Sequence, residues 1–179
     1  MNLETLKAAL PDYAKDLKLN LGSLAKENSL NDQRKWGTFL ACAFAIGEPT
    51  TIRALIGESE AKLTSEAIKA AKAAKAASAI MSMNNVYYRF THFVHNEVYL
   101  TTPAKLRMQV IAAPGIDKAD FELFCMAVSA VNGCGKCMDA HEEELRKVGF
   151  TTEQIQYSVR IGAVVNGVAR TLAAEATVA

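Results

Sequence analysis

Cys134 and Cys137 stand three residues apart in the stretch 132–141 (NGCGKCMDAH), and His141 follows Cys137 by one helical turn. Two thiols and an imidazole this close together suit three chemistries: a metal site, a redox dithiol, or a helix start that is merely rich in sulfur. At the first turn of a helix, unpaired amides and the helix dipole favour an anion, so a thiol placed there loses its proton more readily. Residues three apart are near neighbours on a helical surface, and a modest adjustment lets two cysteines at that spacing form a disulfide. His141 can hold the proton of Cys137 or return one to it. Glu122 is the remaining candidate. On one unbroken helix it would lie roughly 18 Å from Cys134, too far to act. Asn132-Gly133 is a break signal, however, and a chain folded back at that point brings Glu122 opposite His141, with water expected to bridge one gap between Glu122, His141 and Cys137.

The elements that must position these groups are helical. Leu3, Leu6, Ala9 and Leu10 mark one apolar face, and Leu17, Leu21 and Leu24 another, with no sustained two-residue alternation that would call for a sheet. Helix starts are signalled at Asn31-Asp32, Thr64-Ser65-Glu66, Asp117 to Asp120 and Thr151-Thr152-Glu153. Breaks fall at Gly47-Glu48-Pro49, Thr102-Pro103 and Pro114-Gly115. The alanine-rich run from Ala67 to Ala79 contains strong helix formers and reads as part of a long helix rather than a linker. A helix is expected to begin at Cys134 and to run through Lys147.

A weak repeat emerges when Asp32 to Ile68 is laid over Asp120 to Ile155: acidic start, apolar helix, glycine break, second helix, third helix. In that overlay Arg34, Ile46, Pro49 and Arg53 stand where Glu122, Cys134, Cys137 and His141 stand in the second copy. The expected organisation is one domain over 1–179, with residues 1–85 a non-catalytic half and 86–179 the half that carries the Cys-x-x-Cys site.

Bulk properties narrow the function. The chain has 179 residues, half of them hydrophobic, enough for one substantial core. Lys and Arg total 20 against 19 for Asp and Glu, which supplies no basic field for nucleic acid or an anionic membrane. Charges interleave with the leucines from Met1 to Glu27, leaving no apolar run of membrane-spanning length, and a cytoplasmic protein is expected. Four cysteines are too few for a secreted disulfide scaffold.

The segments MNNVYYRF, IAAPGIDKADFELF and AVSAVNGCGKCMDAHE, with the stretch after Gly149, closely resemble the alkyl hydroperoxidase D (AhpD) family of the carboxymuconolactone-decarboxylase-like superfamily. The resemblance is close from Met83 to Ala174 and looser before it. It implies an all-α fold of two related helical halves, a homotrimer, and a lipoyl-dependent peroxidase and disulfide reductase with no bound cofactor or metal. It also implies that Cys137 is the buried thiolate that attacks peroxide and becomes a sulfenic acid. Cys134 is then the more exposed cysteine, which donates a proton, resolves the sulfenic acid as a disulfide and exchanges with partners. Glu122 and His141 correspond to a proton relay. The implied partners are an AhpC-type peroxiredoxin and the dihydrolipoyl component of a 2-oxo-acid dehydrogenase, with dihydrolipoamide as electron donor. Some members carry histidine where Lys136 stands; lysine stabilises a thiolate by charge but is a poor proton relay near neutral pH.

The competing readings are a helical zinc-binding structural or sensor protein, with Glu122 completing the ligands of Cys134, Cys137 and His141, and a decarboxylase-like member of the same superfamily. Zinc normally uses two separated pairs of Cys and His ligands, and the sequence offers one. A decarboxylase gives no reason for a dithiol. Cys42 and Cys125 sit in apolar runs and read as core. His92 and His95 have metal-like spacing without a matching cluster and read as hydrogen-bonding or intersubunit residues. Trp36 and the pair Tyr87-Tyr88 read as core or interface aromatics.

Overall fold

The computed structural model describes residues 1–63 and 67–177, and among these every regular element is helical. Helices α1 (Leu3–Ala8) and α2 (Lys15–Lys26), joined by a 3-10 turn at Asp12–Ala14, precede two similar runs. The first comprises α3 (Asp32–Ile46), α4 (Pro49–Leu63) and α5 (Ala67–Phe93). The short helices α6 (Val98–Thr101) and α7 (Gln109–Ala112) lead into the second: α8 (Lys118–Val131), α9 (Gly135–Lys147) and α10 (Thr152–Glu175). No helix of the described residues is long and apolar enough to cross a membrane.

Local chemistry accounts for the boundaries. Asn31 accepts from the Arg34 amide, Asp117 from those of Ala119 and Asp120, and Thr151 forms a reciprocal capping box with Gln154. Gly47 and Gly133 end α3 and α8 with positive φ of 86° and 68°, a conformation that glycine adopts without strain. The Ala67–Ala79 run lies within α5, as its composition requires. The start expected at Thr64-Ser65-Glu66 lies outside the described residues, and Ala9, expected on the apolar face of α1, is exposed.

Packing crosses between the two runs. Helices α3 and α8 pack together at the centre, where Gly37 leaves room for the Phe124 ring, and Trp36, Phe39, Phe121, Phe124 and Tyr157 are buried. Helix α5 then lies on α8 and α9, while α10 lies on α3 and α4, so each third helix covers the other run's bend. The residue 85/86 division falls inside α5, which is continuous there. Caps and left-handed glycines pair Asn31 with Asp117 and Gly47 with Gly133, two residues away from the register of the sequence overlay. In the structural register Trp36, Glu48, Thr51 and Leu55 therefore stand where Glu122, Cys134, Cys137 and His141 stand, in place of Arg34, Ile46, Pro49 and Arg53.

Candidate active site

The bend between α8 and α9 builds the site. The amide of Gly133 donates to Ala130 O and that of Cys134 to Ser129 O, the paired closure that a left-handed glycine permits at a helix end. Cys134 is at once the residue that seals α8 and the N-cap of α9, so α9 begins one residue later than expected, at Gly135. It makes no side-chain cap hydrogen bond, and of the first-turn amides that of Cys137 donates to Cys134 O, which leaves those of Gly135 and Lys136 for an anion at the helix start. Cys134 and Cys137 are joined as a disulfide, their Cα atoms 5.3 Å apart.

The fold-back brings Glu122 to His141 as the spacing anticipated. Glu122 Oε2 lies 2.7 Å from His141 Nδ1, and the two residues are 6% and 8% exposed. No water is needed across that gap. The carboxylate fixes Nδ1 as the protonated nitrogen and leaves Nε2 to exchange protons, as second-sphere carboxylates do for reactive histidines. Nε2 lies 3.3 Å from Met81 Sδ, a contact that the sequence reading did not include. Cys137 and His141 line one cavity of about 260 Å³ together with Met81, Asn84, Tyr88, Met108, Ile111, Lys136 and Ala140.

One expectation is corrected in part: both cysteines are buried, as expected of Cys137, but Cys134 is not the more exposed of the two. Cys134 is wholly covered, whereas Cys137 keeps 7% exposure and lines the cavity. The cause lies in the backbone: with Gly133 turned left-handed and Cys134 extended as the cap, the Cys134 side chain tucks under the bend, and Cys137 opens onto the space between α5 and α9. Lys136 sits with its Nζ 5.7 Å from the centre of the Tyr88 ring and lines the same cavity as Cys137.

A hydrogen-bonded strut ties the bend to α5. Arg89 donates to Asn132 O (2.7 Å), Asn132 Nδ2 to Asn85 Oδ1 (2.9 Å), Asn85 Nδ2 to Ser129 Oγ (2.9 Å) and Ser129 Oγ to Met81 Sδ (3.5 Å). Met81, Asn84 and Tyr88 follow the three- and four-residue spacing of one helix face. That spacing was the available signal, but none of the three stands near a recognisable reactive group in sequence.

The remaining cysteines are of another kind. Cys42 and Cys125 are free and fully buried; burial pushes the Cys42 thiol up to about 12, and burial together with the Glu122 charge raises that of Cys125. Both are inert as nucleophiles at neutral pH. Trp36 is core. Tyr87 packs edge-on to Tyr88, which reaches the cavity wall. His92 and His95 are exposed at the end of α5, and His92 meets Phe93 edge to face. Among the described residues no three His, Cys, Asp or Glu side chains converge as metal ligands.

The chain matches the model of the carboxymuconolactone decarboxylase family over residues 98–179, from α6 onward. Over its whole length it is 62% identical to the alkyl hydroperoxide reductase AhpD of Hyphomonas neptunium, covering 100% of this chain and 98% of that one. It is 61% identical to the AhpD of Maricaulis maris over 98% of this chain and 99% of the relative. With the AhpD of Streptomyces griseus the identity is 51%, over 100% and 99%. Similarity at this level along the full chain, with the all-helical fold that the resemblance implied, establishes that the chain belongs to the AhpD family.

Proposed function

We propose that this protein is an antioxidant dithiol peroxidase and disulfide reductase: it reduces alkyl hydroperoxides, regenerates an AhpC-type peroxiredoxin, and takes its electrons from dihydrolipoamide. The observation that carries the reading is the Cys134–Cys137 disulfide with its Cys137 end on a cavity that also holds the His141–Glu122 pair.

In the reduced protein His141 takes the Cys137 proton, assisted by Glu122, and Lys136 and the α9 dipole stabilise the thiolate. The thiolate attacks the terminal oxygen of the hydroperoxide. An S–O bond forms as the O–O bond breaks, giving a sulfenic acid and an alkoxide, which takes the Cys134 proton and leaves as the alcohol. The Cys134 thiolate then attacks the sulfenic sulfur, and the departing hydroxide takes the proton held on His141 and leaves as water. Two thiol–disulfide exchanges with dihydrolipoamide restore the dithiol and oxidise the donor to the cyclic disulfide. Because Cys134 is wholly covered and Cys137 lines the cavity, the slender dihydrolipoyl arm attacks Cys137 first and Cys134 departs as thiolate. Exchange with a peroxiredoxin through Cys134 requires the first turn of α9 to open.

The assembly belongs to the same reading. Phe90, Phe93, Val98, Tyr99 and Leu100 are exposed together at the end of α5 and on α6, an apolar surface that supports the homotrimer. The dihydrolipoyl component of a 2-oxo-acid dehydrogenase, working in the cytoplasm, supplies the electrons. The test is anaerobic reduction of the oxidised protein by dihydrolipoamide, followed by addition of an alkyl hydroperoxide with and without a peroxiredoxin. One equivalent of alcohol per protein is expected; no consumption of hydroperoxide by the reduced protein would refute the peroxidase reading. Stoichiometric zinc on the reduced cysteines after purification without added metal would favour the zinc-binding alternative.

A further inference from the structure

One polar group in the cavity has no work in the mechanism above. Asn84 is 4% exposed and lines the cavity with Cys137 and His141, yet its Oδ1 has no hydrogen-bond donor. Its neighbour Asn85 is fully engaged, accepting from Asn132 and donating to Ser129. Among the described residues only Trp36 Nε1 shares the condition of Asn84 Oδ1, and Trp36 is packed in the core. Met81, Tyr88, Met108, Ile111 and Ala140 give the rest of the wall an apolar character. An amide oxygen shut among such groups carries its desolvation penalty without return unless whatever enters the cavity donates to it.

We propose that Asn84 is the residue that orients the hydroperoxide. With a turn about the terminal torsion of Asn84, its otherwise covered Oδ1 accepts the O–H of the terminal peroxide oxygen while the alkyl or aryl group lies against Met108, Ile111 and Tyr88, and this presents the terminal oxygen to Cys137 Sγ. The inference rests on the peroxidase reading and adds the group that recognises the substrate. Asn84 transfers no proton. The hydrogen it accepts stays on the terminal oxygen as the S–O bond forms and the O–O bond breaks, and becomes the hydrogen of the sulfenic acid; the alkoxide takes its proton from Cys134. The same acceptor holds substrate and sulfenic acid, and it gives an oxidant without an O–H, such as a disulfide, no advantage. The matched pair of hydrocarbon wall and single acceptor selects compact organic hydroperoxides.

The test compares wild-type, Asn84→Leu and Asn84→Ala proteins, each fully reduced and mixed anaerobically with cumene hydroperoxide, and in parallel with dithiobis-nitrobenzoate, an aromatic disulfide. The rate constant for cumene hydroperoxide is expected to fall by about 10-fold or more in both variants, the scale of one lost hydrogen bond to a reacting group. The rate with the aromatic disulfide, and the rate at which dihydrolipoamide reduces the oxidised protein, stay within about 2-fold of wild type, because neither depends on an O–H. Asn84→Ala keeps the test alive if Leu disturbs the cavity. Unchanged peroxide rates in both variants, or equal slowing with peroxide and with the disulfide, would overturn the assignment. Wild-type protein that fails to react with peroxide at all would instead sink the peroxidase reading on which it rests.

Discussion

The two bends of this protein share one backbone design and differ in what their caps are made of. At the α3–α4 bend Glu48 follows the left-handed Gly47 and accepts from the amides of Thr50 and Thr51 and from the Thr51 hydroxyl. At the α8–α9 bend Cys134 follows Gly133 and is joined to Cys137. The cap position and the position three residues beyond it are linked in both, by a hydrogen bond in the first bend and a disulfide in the second. Two further positions change in the same way: Trp36 and Leu55 are core in the first run, where the second has the buried pair Glu122 and His141. One arrangement keeps a helix start closed permanently; the other closes it with a bond that can be reduced.

Coverage also differs. In the structural register Gly167 of α10 stands where α5 has Met81. A Cβ on Gly167 would come within 2.8 Å of Leu17 Cδ2, so α2 occupies the ground that corresponds to the cavity beside α9. The N-terminal segment completes the seal, with α1 packed on α4 and the Leu3 amide donating to Glu58 (3.1 Å). The first bend is plugged, and the second is left open to a ligand.

The largest effect that separates the bends is a loss of chemistry. Cys137→Ser is expected to abolish hydroperoxide turnover while the protein stays folded. Thr51→Val, its counterpart, leaves turnover unchanged and lowers stability by about 1 kcal/mol through the one lost hydroxyl bond to Glu48. Turnover assays beside urea unfolding measure both, and a peroxide-active Cys137→Ser would erase the distinction.

Next come the paired interior positions. Glu122→Gln keeps the volume and the contact with His141 but removes the charge that supports proton uptake, so the rate of Cys137 oxidation should fall by about 100-fold and its pH profile should shift. Leu55→Ala should leave that rate alone and cost roughly 2–5 kcal/mol by leaving a cavity in the core. A stability loss without a rate change in Glu122→Gln would mean that the second pair is core as well. Smaller again is Leu17→Ala, which uncovers the ground over Gly167 and should cost about 1–2 kcal/mol for a half-buried side chain. It should create no peroxide reactivity in a protein that also carries Cys137→Ser, since the first bend has Glu48 and Thr51 in the positions of the two cysteines.

What the sequence made legible follows from what is local. Helix starts at Asn31, Asp117 and Thr151, and ends at Gly47 and Gly133, rest on side chains that bond their own backbone, and they lie where the sequence indicates. Glu122 and His141 were within reach because a single break between them determines their meeting. The cavity wall on α5 was not, because Met81 and Asn84 reach the site only through the packing of α5 on α9, far apart in sequence. The repeat register slipped by two residues for a related reason: aligning acidic residues matched Asp32 with Asp120, whereas the positions that must correspond are the caps and glycines, whose backbone is fixed. The relative exposure of the two cysteines depended on the extended cap conformation at Cys134, which residue types alone do not specify.

The smallest difference, and the one that probes the bends most directly, concerns the anion each helix start holds. Burial opposes charge on Glu48, but the Thr51 hydroxyl and the amides of Thr50 and Thr51 outweigh it and hold the carboxyl below its ordinary value of 4.5. A carboxyl whose value is lower in the folded than in the unfolded chain contributes stability that is fully present above 4.5 and disappears as the pH falls through the folded value. Glu48→Gln keeps an acceptor and loses the charge, so at neutral pH it should cost about 0.5–1 kcal/mol, and the gap from wild type should close in acid. Urea unfolding at a series of pH values reads this directly. A gap that stays constant from pH 7 into acid would show that the first bend is held by geometry and not by its negative charge. The helix start at Cys134 offers a thiolate the same kind of unpaired amides, so that result would also remove the electrostatic argument for activation at the second bend.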